Sequence, residues 1–234
     1  MQQLGFTRSA HCADHILQTP DTFVRAPLPG MRGATAVVHM GPARGAKFTQ
    51  YTAEFDAGGY LPPSEFQRFV YVLDGELTAG TNTLAQGHFH YTQAPLAIEA
   101  KTKARATVIE KLYQPLPAVA HPSGFSGQEK ACASEALDGN PALQVRRLIP
   151  GDVSFDFAVN TMTFQPGAAL SMVELHVMEH GLLMLEGGGI YRLGDRWYPV
   201  AAGDFIWMAP YCPQWFGAIG EKPAKYLIYK DWNR

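Results

Sequence analysis

Long apolar runs are missing from this sequence. No run approaches the roughly 18 residues that a membrane-spanning helix needs, and residues 1–8 lack the apolar segment of a secretory signal. The 19 basic and 21 acidic residues give a net charge of -2 without a basic cluster, so the charge pattern of nucleic-acid-binding and membrane-surface proteins is absent too. These absences favour a cytoplasmic protein whose partner is a small molecule.

Cysteine is scarce as well. Cys12, Cys132 and Cys212 are widely separated and form no paired motif. An odd number of isolated cysteines argues against a disulfide scaffold and fits a reducing cytoplasm. We interpret them as small buried side chains or inert surface thiols.

Helical periodicity is almost absent. Aromatic and β-branched residues occur in short runs separated by 23 glycines and 17 prolines, which is typical of β-strands joined by tight turns. Residues 187–189 and Gly194 are expected to bound a hairpin, and Phe205–Met208 is apolar enough for a strand buried between two sheets. The sequence therefore predicts an all-β protein of the jelly-roll or barrel type.

Two histidine pairs outside the main candidate site are interpreted as structural or surface residues. Residues 1–20 look like an extended or loosely helical arm, in which His11 and His15 stand at helical spacing. His88 and His90 are one residue apart on an expected strand. Neither pair has a third metal-ligating residue nearby, and a site needs at least three.

The chain repeats itself at an offset of roughly 112–121 residues, the kind of period that marks duplicated domains. Four pairs of similar segments follow one another in the same order: 23–30 and 144–151, 71–76 and 183–188, 87–95 and 203–210, 108–113 and 227–232. We therefore predict two tandem domains, residues 1–120 and 121–234, with the proline-rich stretch 114–140 around the junction.

The second copy contains the clearest candidate site. Glu174 and His176 share the period-two face of an expected strand, and His180 follows four residues later. Three metal-ligating side chains can thus converge on one point. Glu179 points away from that point by the same alternation.

The first copy serves as an internal control. With Gly75 aligned to Gly187, Arg68 stands at the position of His180. Arginine stays protonated and offers only hydrogen-bond donors, so it repels a cation. The first copy is expected to bind no metal there, and to act as a structural and oligomerisation partner.

These motifs resemble those of the cupin family. Gly167 and Gly187 frame the three candidate ligands, and residues 203–214 loosely match the second cupin motif, with Gln214 where the family usually has its last histidine. The resemblance implies an all-β fold of two tandem cupin domains, the double-stranded β-helix or jelly roll. A Glu, two His and a Gln suit octahedral Mn²⁺ or Fe²⁺ with two open positions. One carboxylate leaves a surplus positive charge that would attract a substrate carboxylate.

The C-terminal strand adds two further candidates. Tyr226, Ile228 and Lys230 share one face by alternation. A lysine in an apolar pocket beside a cation loses its proton more readily, and so can act as a base near neutral pH. The alternative is a surface lysine, since Lys111 stands at the equivalent place of the copy that is expected to bind no metal. The residues alone leave both interpretations open.

At closer range the chain resembles the bicupin (S)-ureidoglycine aminohydrolases, over both copies and most strongly from Met172 onward. The resemblance implies Mn²⁺, with Fe²⁺ or another divalent metal as alternatives, bound by Glu174, His176, His180 and Gln214. It implies substrate contacts from Tyr191, Tyr226 and Lys230. We further expect Glu174 and Gln214 to contact the substrate, and Lys230 to act as the catalytic residue that moves a proton.

The implied reaction is the hydrolytic deamination of (S)-2-ureidoglycine to (S)-ureidoglycolate and ammonia, a step of allantoin and purine breakdown, in a homo-oligomer. Two alternatives share the fold and the open metal site. One is an Fe²⁺ bicupin dioxygenase, and the other is a non-catalytic cupin that binds a small carboxylic acid.

Overall fold

The computed structural model describes residues 5–231, which form strands, turns and only short helical segments. In chain order the strands are β1 (Ala10–His11), β2 (His15–Gln18), β3 (Arg32–Met40), β4 (Thr49–Leu61), β5 (Gln67–Asp74), β6 (Glu76–Ala79), β7 (Asn82–Ala85), β8 (His88–Thr92), β9 (Ile98–Ala100), β10 (Ala104–Lys111), β11 (Phe125–Gln128), β12 (Ser134–Leu137), β13 (Asn140–Arg147), β14 (Phe157–Phe164), β15 (His180–Glu186), β16 (Gly188–Leu193), β17 (Arg196–Ala201), β18 (Phe205–Met208), β19 (Gln214–Ala218) and β20 (Ala224–Asp231). Three short 3-10 helices cover Pro20–Thr22, Pro42–Arg44 and Glu129–Ala131. The all-β prediction is confirmed. Within residues 5–231 no helix has the length and apolar character needed to cross a membrane.

The described residues form two compact units that are not continuous in sequence. The C-terminal unit comprises residues up to Phe23, Ser134–Arg147 and the residues from Phe157 onward. The N-terminal unit comprises Val24–Ala133 and Leu148–Asp156. These spatial units differ from the predicted segments 1–120 and 121–234. Residues up to Phe23 belong to the C-terminal unit, and residues 121–133 and 148–156 belong to the N-terminal unit.

The C-terminal unit consists of two antiparallel sheets. One has the order β1-β2-β18-β15-β20-β14-β13-β12, and the other has the order β17-β16-β19. Between them lies an apolar core in which Phe164, Phe216 and Tyr226 are fully enclosed and their rings contact each other. Aromatic side chains of this size bury much apolar area each, so they dominate the stability of such a core. In the N-terminal unit one nine-stranded sheet has the order β11-β8-β5-β10-β4-β9-β6-β7, with β3 paired to β4.

The hairpin and buried strand predicted in the second half are confirmed. Strands β16 and β17 pair in antiparallel register around Gly194, which has a φ of 61°. Glycine adopts this left-handed conformation without the steric cost that a side chain would bring. All four residues of β18 are buried.

Of the two predicted conformations of the N-terminal arm, extended and loosely helical, the described residues adopt the extended one and form strands β1 and β2. Strand β2 pairs with β18, so that Ile16 lies opposite Trp207. Ile16 and Leu17 are buried, and His15 is 2% exposed rather than a surface residue. Pairing with a sheet edge satisfies the backbone of the arm and buries its apolar residues, which outweighs the local helical pattern.

Candidate active site

The first two candidate ligands lie on the loop between β14 and β15 and not on a regular strand. Glu174 forms a single antiparallel bridge with Gln214, with N···O distances of 2.8 and 2.9 Å. The predicted alternation survives around this bridge. Glu174 Oε2 and His176 Nε2 are 3.0 Å apart on one side, while Leu175 and Val177 are exposed on the other. One β-bridge is therefore enough to aim both ligands inward.

His180 is the first residue of β15 and is 1% exposed. Its ring centroid is 4.9 Å from that of His176. Neither of its ring nitrogens has a hydrogen-bond partner by distance and angle among the described residues. The nearby backbone of Tyr229 favours the protonated ring and so partly raises its pKa. Burial lowers the pKa of His180 well below its usual range, and the nearby charges of Lys230 and His176 act in the same direction. The ring is thus neutral, which is the form that binds metal.

Gln214 begins β19 and is buried beside two tyrosines. The Tyr191 hydroxyl lies 3.4 Å from Gln214 Oε1, and the Tyr226 hydroxyl lies 3.3 Å from the sulfur of Met162. Burial raises the pKa of both tyrosines above the usual value, and the charge of Glu174 adds to this effect. Both phenols therefore remain protonated and can donate hydrogen bonds.

Lys230 lies on β20 directly opposite His180. Burial lowers the pKa of its amine, Glu174 partly opposes this, and the positive charge of Arg147 reinforces it. Tyr226, Ile228 and Lys230 share one face as predicted, and all three line the same cavity. Lys230 is therefore a half-buried residue of the cavity wall and not a fully exposed surface lysine.

All the predicted site residues come together around one cavity of about 330 Å³, which is large enough for a small organic acid. They are Glu174, His176, His180, Tyr191, Gln214, Tyr226 and Lys230. Glu179 lies outside the lining, as predicted, and its carboxylate accepts a hydrogen bond of 2.8 Å from the Trp207 indole.

The four candidate ligands fit a divalent cation by their donor chemistry. A buried neutral imidazole without a partner, a second imidazole, a carboxylate and an amide oxygen all face the cavity. Their ligand atoms are less tightly grouped than those of Asp14, His15 and Cys212, which among residues 5–231 all lie within 4.8 Å of one another. Side-chain rotation would be needed for Glu174, His176 and His180 to meet on one ion.

Comparison with known proteins extends this description to the whole chain. Residues 160–229 match a family model described as a cupin domain. The (S)-ureidoglycine aminohydrolase of Arabidopsis thaliana is 38% identical over 98% of this chain and 80% of its own length. That of Escherichia coli K12 is 29% identical over 93% of this chain and 88% of its own length. The chain belongs to the (S)-ureidoglycine aminohydrolase family.

The structural comparison agrees with this family assignment. The crystal structure of protein Ylba from E. coli superimposes with a TM-score of 0.85 at 26% identity, covering 97% of this chain and 95% of that chain. The cupin fold of the (S)-ureidoglycine aminohydrolase family, together with the donor groups described above, is consistent with a divalent metal.

Sequence reasoning missed four polar side chains of this family member's cavity, Glu135, Asp138, Arg147 and Asn160. Arg147 ends β13 and forms an ion pair of 3.3 Å with Glu135 on β12. A signal for Arg147 was present. The alternation Leu143, Val145, Arg147 places the arginine on the face whose other members pack into the core.

The N-terminal unit fills the matching place with an ion pair. Strand β5 sets Arg68 opposite Glu110 on β10, just as β15 sets His180 opposite Lys230. Arg68 is 2.7 Å from the Glu110 carboxylate and donates hydrogen bonds to two backbone carbonyls, those of Pro62 and Leu96.

This register corrects one equivalence drawn from the sequence. The counterpart of Lys230 is Glu110, and the prediction that matched Lys230 with Lys111 was wrong by one residue. A shift of one residue in a strand turns a side chain to the opposite face. Lys111 accordingly points elsewhere, where its amine lies 3.2 Å from the buried Asp156 carboxylate.

Proposed function

We propose that this chain is an (S)-ureidoglycine aminohydrolase that converts (S)-2-ureidoglycine and water to (S)-ureidoglycolate and ammonia. We propose further that the enzyme uses a divalent metal, with Mn²⁺ as the preferred ion. We also propose that it is a cytoplasmic homo-oligomer that acts in allantoin and purine breakdown. The observation that carries it is His180. A buried imidazole with two unpaired nitrogens is costly unless a ligand satisfies it, and it faces a cavity shared with Glu174 and Lys230.

In this proposal Glu174, His176, His180 and Gln214 hold the cation. Once bound, a divalent cation supplies a positive charge to which the substrate's carboxylate can bind directly. Arg147 adds a second positive charge at the cavity wall. Its planar guanidinium suits a carboxylate or a ureido oxygen, because it offers two parallel donors.

Lys230 is the proposed proton carrier. Hydrolysis forms a C–O bond from water and breaks the C–N bond to the amine, so one proton must leave the water and one must reach the departing nitrogen. Burial lowers the pKa of Lys230, so its neutral amine is available at lower pH than that of an exposed lysine. Lys230 moves this proton, either to activate water or to help expel ammonia.

Tyr191 and Tyr226 are proposed to orient the substrate. Both tyrosines are buried and line the cavity, and their phenols remain protonated because burial raises the pKa of each. They can donate hydrogen bonds to the ureido and carboxylate oxygens. Fixing both ends of a small substrate lowers the entropic part of the barrier.

The proposal is tested by measuring metal content together with ammonia release from freshly generated ureidoglycine. We expect bound divalent metal and oxygen-independent turnover in the native protein, and loss of both in Glu174→Ala. Turnover that depends on Fe²⁺ and O₂ would indicate the dioxygenase alternative. Binding of the acid without turnover would indicate the non-catalytic alternative.

The role of Lys230 is tested with Lys230→Met. We expect this variant to retain its metal and to lose most ammonia release, roughly 10²- to 10⁴-fold, the usual contribution of a positioned acid or base. Lys225→Met is the matched control, since Lys225 lies on the same strand and outside the cavity lining. Near-normal ammonia release by Lys230→Met would remove the lysine from the mechanism.

A further inference from the structure

A second group of metal-ligating side chains lies where the N-terminal arm meets the turn between β18 and β19. It consists of Asp14, His15 and Cys212, whose ligand atoms all lie within 4.8 Å of one another. None of the three lines the cavity of the candidate active site. From the sequence His15 was interpreted as a residue without a third ligand nearby. Cys212 is brought beside Asp14 and His15 only through the pairing of β2 with β18.

The distances within this group are close to those of a tetrahedral site. His15 Nδ1 is 2.9 Å from Asp14 Oδ1, and Cys212 Sγ is 3.9 Å from Asp14 Oδ2. Oxygen, nitrogen and sulfur ligands of a tetrahedral Zn²⁺ stand roughly 3.3–3.6 Å from one another. Asp14 uses a different oxygen in each of these contacts, and the three ligand atoms lie within 4.8 Å of one another. Side-chain rotations of Asp14 and Cys212 would bring them into a coordination shell.

The surroundings hold the three side chains in place. His15 Nε2 is 2.8 Å from the Tyr198 hydroxyl, and metal-bound histidines characteristically engage their second ring nitrogen in this way. The backbone carbonyl of Asp14 accepts a hydrogen bond of 2.9 Å from the Ala209 amide. Gly194 packs so close to Asp14 that a Cβ there would lie 2.8 Å from Oδ2.

We propose that Asp14, His15 and Cys212 form a structural Zn²⁺ site, with water as the fourth ligand. A carboxylate, an imidazole and a thiolate are ligands that Zn²⁺ favours. On binding, the Cys212 thiol releases its proton to solvent, and the two anionic ligands then neutralise the dication. His15 and Cys212 are 2% and 3% exposed. A site without net charge has a smaller desolvation cost at such a buried place than a charged one.

The consequence of this site is mechanical. The metal would link the N-terminal arm to the turn between β18 and β19. Gln214 follows Cys212 by two residues, at the end of this turn, so the zinc site would help to position Gln214 without contacting the substrate. The alternative is a hydrogen-bonded cluster in which Asp14, His15 and Tyr198 stabilise the arm without metal.

Cobalt substitution distinguishes the two interpretations. Co²⁺ bound to a thiolate gives a sulfur-to-metal charge-transfer band, whereas the proposed active-site ligands, Glu174, His176, His180 and Gln214, contain no sulfur. We expect metal-stripped protein to develop this band on addition of one to two equivalents of Co²⁺. The band should disappear in Cys212→Ser, and it should persist in His176→Ala and in Cys132→Ser, a thiol control in the N-terminal unit.

Thermal unfolding gives a second test that does not depend on the cobalt spectrum. In His176→Ala, saturating Zn²⁺ should raise Tm by about 5 °C, as expected for a ligand that binds only the folded state. Cys212→Ser added to that background should abolish the rise. Absence of the charge-transfer band in the native protein, or a Tm unchanged by zinc in His176→Ala, would overturn the zinc site in favour of the metal-free cluster. A band that survives Cys212→Ser would overturn it by showing that a different thiolate binds the cobalt.

Discussion

The two units place different chemistry at the same strand register. In the N-terminal unit, Arg68 and Glu110 face each other across β5 and β10 and satisfy one another. In the C-terminal unit, His180 and Lys230 occupy the matching pair of strands, and the imidazole has no hydrogen-bond partner. The sheet therefore accepts either a closed ion pair or an open polar cavity. The histidine is not required by the fold, and this difference is the strongest structural reason for assigning it a ligand.

The largest expected effect on activity comes from His180→Ala, which removes the unpaired imidazole of the C-terminal unit. We expect ammonia release from ureidoglycine to fall roughly a thousandfold, equivalent to about 4 kcal/mol in the activation barrier, with loss of bound metal. The matched control is His90→Ala in the N-terminal unit, because His90 is also buried and its Nε2 also lacks a hydrogen-bond partner among the described residues. Steady-state assays of both variants make the comparison, and equal losses would show that His180 is merely structural.

Arg68→Met changes the matching position of the N-terminal unit, where an ion pair stands in place of the unpaired histidine. Removing the guanidinium leaves the Glu110 carboxylate without its ion-pair partner in a largely buried setting, which costs about 3–5 kcal/mol. Denaturant unfolding should show this loss while metal content per folded chain stays unchanged. The double variant Arg68→Met/Glu110→Gln should recover a large part of the stability. A loss of metal with no loss of stability would contradict the structural role of this pair.

A smaller effect is expected from Arg147→Gln in the C-terminal unit. If Arg147 contacts the substrate's anionic end, KM should rise about tenfold, or about 1.4 kcal/mol, with kcat less affected. Arg146→Gln is the neighbouring control, since Arg146 is adjacent in sequence and outside the cavity lining. Equal KM values for the two variants would remove Arg147 from substrate binding.

The smallest effect concerns acid stability of the N-terminal unit. Burial lowers the pKa of His39 to about 3, against 6.5 in its absence. Between about pH 6.5 and pH 3 the unfolded chain binds a proton at His39 and the folded chain does not. The free energy of unfolding is therefore retained above about pH 6.5 and decreases progressively as the pH falls toward 3. Near pH 6 the resulting loss of stability is about 0.8 kcal/mol. His39→Gln should flatten the pH dependence of unfolding over this range, and an unchanged slope would argue against it.

Part of this site follows from local rules that a single sequence contains. Alternation aims Glu174 and His176 to one side and Glu179 to the other, and it places Tyr226 and Lys230 on one face. These directions hold even though Glu174 lies on a loop with one bridge instead of a strand. Short-range geometry of this kind depends only on neighbouring residues, so the sequence is sufficient to predict it.

The remainder depends on contacts between distant segments. The pairing of β2 with β18 joins residues about 190 positions apart, and no local pattern in the arm indicates it. The match of Lys230 with Glu110 required the strand register, since the offset between the copies changes along the chain. Arg147 reaches the cavity because β13 lies beside β14 in the large sheet, which again is a property of topology rather than of local sequence.

The proposed metal site is tested by locating bound metal in crystals grown with Mn²⁺, using anomalous diffraction. We expect a peak in the C-terminal unit, within bonding distance of Glu174, His176, His180 and Gln214, and none beside Arg68 and Glu110. A peak at the Arg68–Glu110 pair, or a fully active protein with no peak near His180, would contradict it.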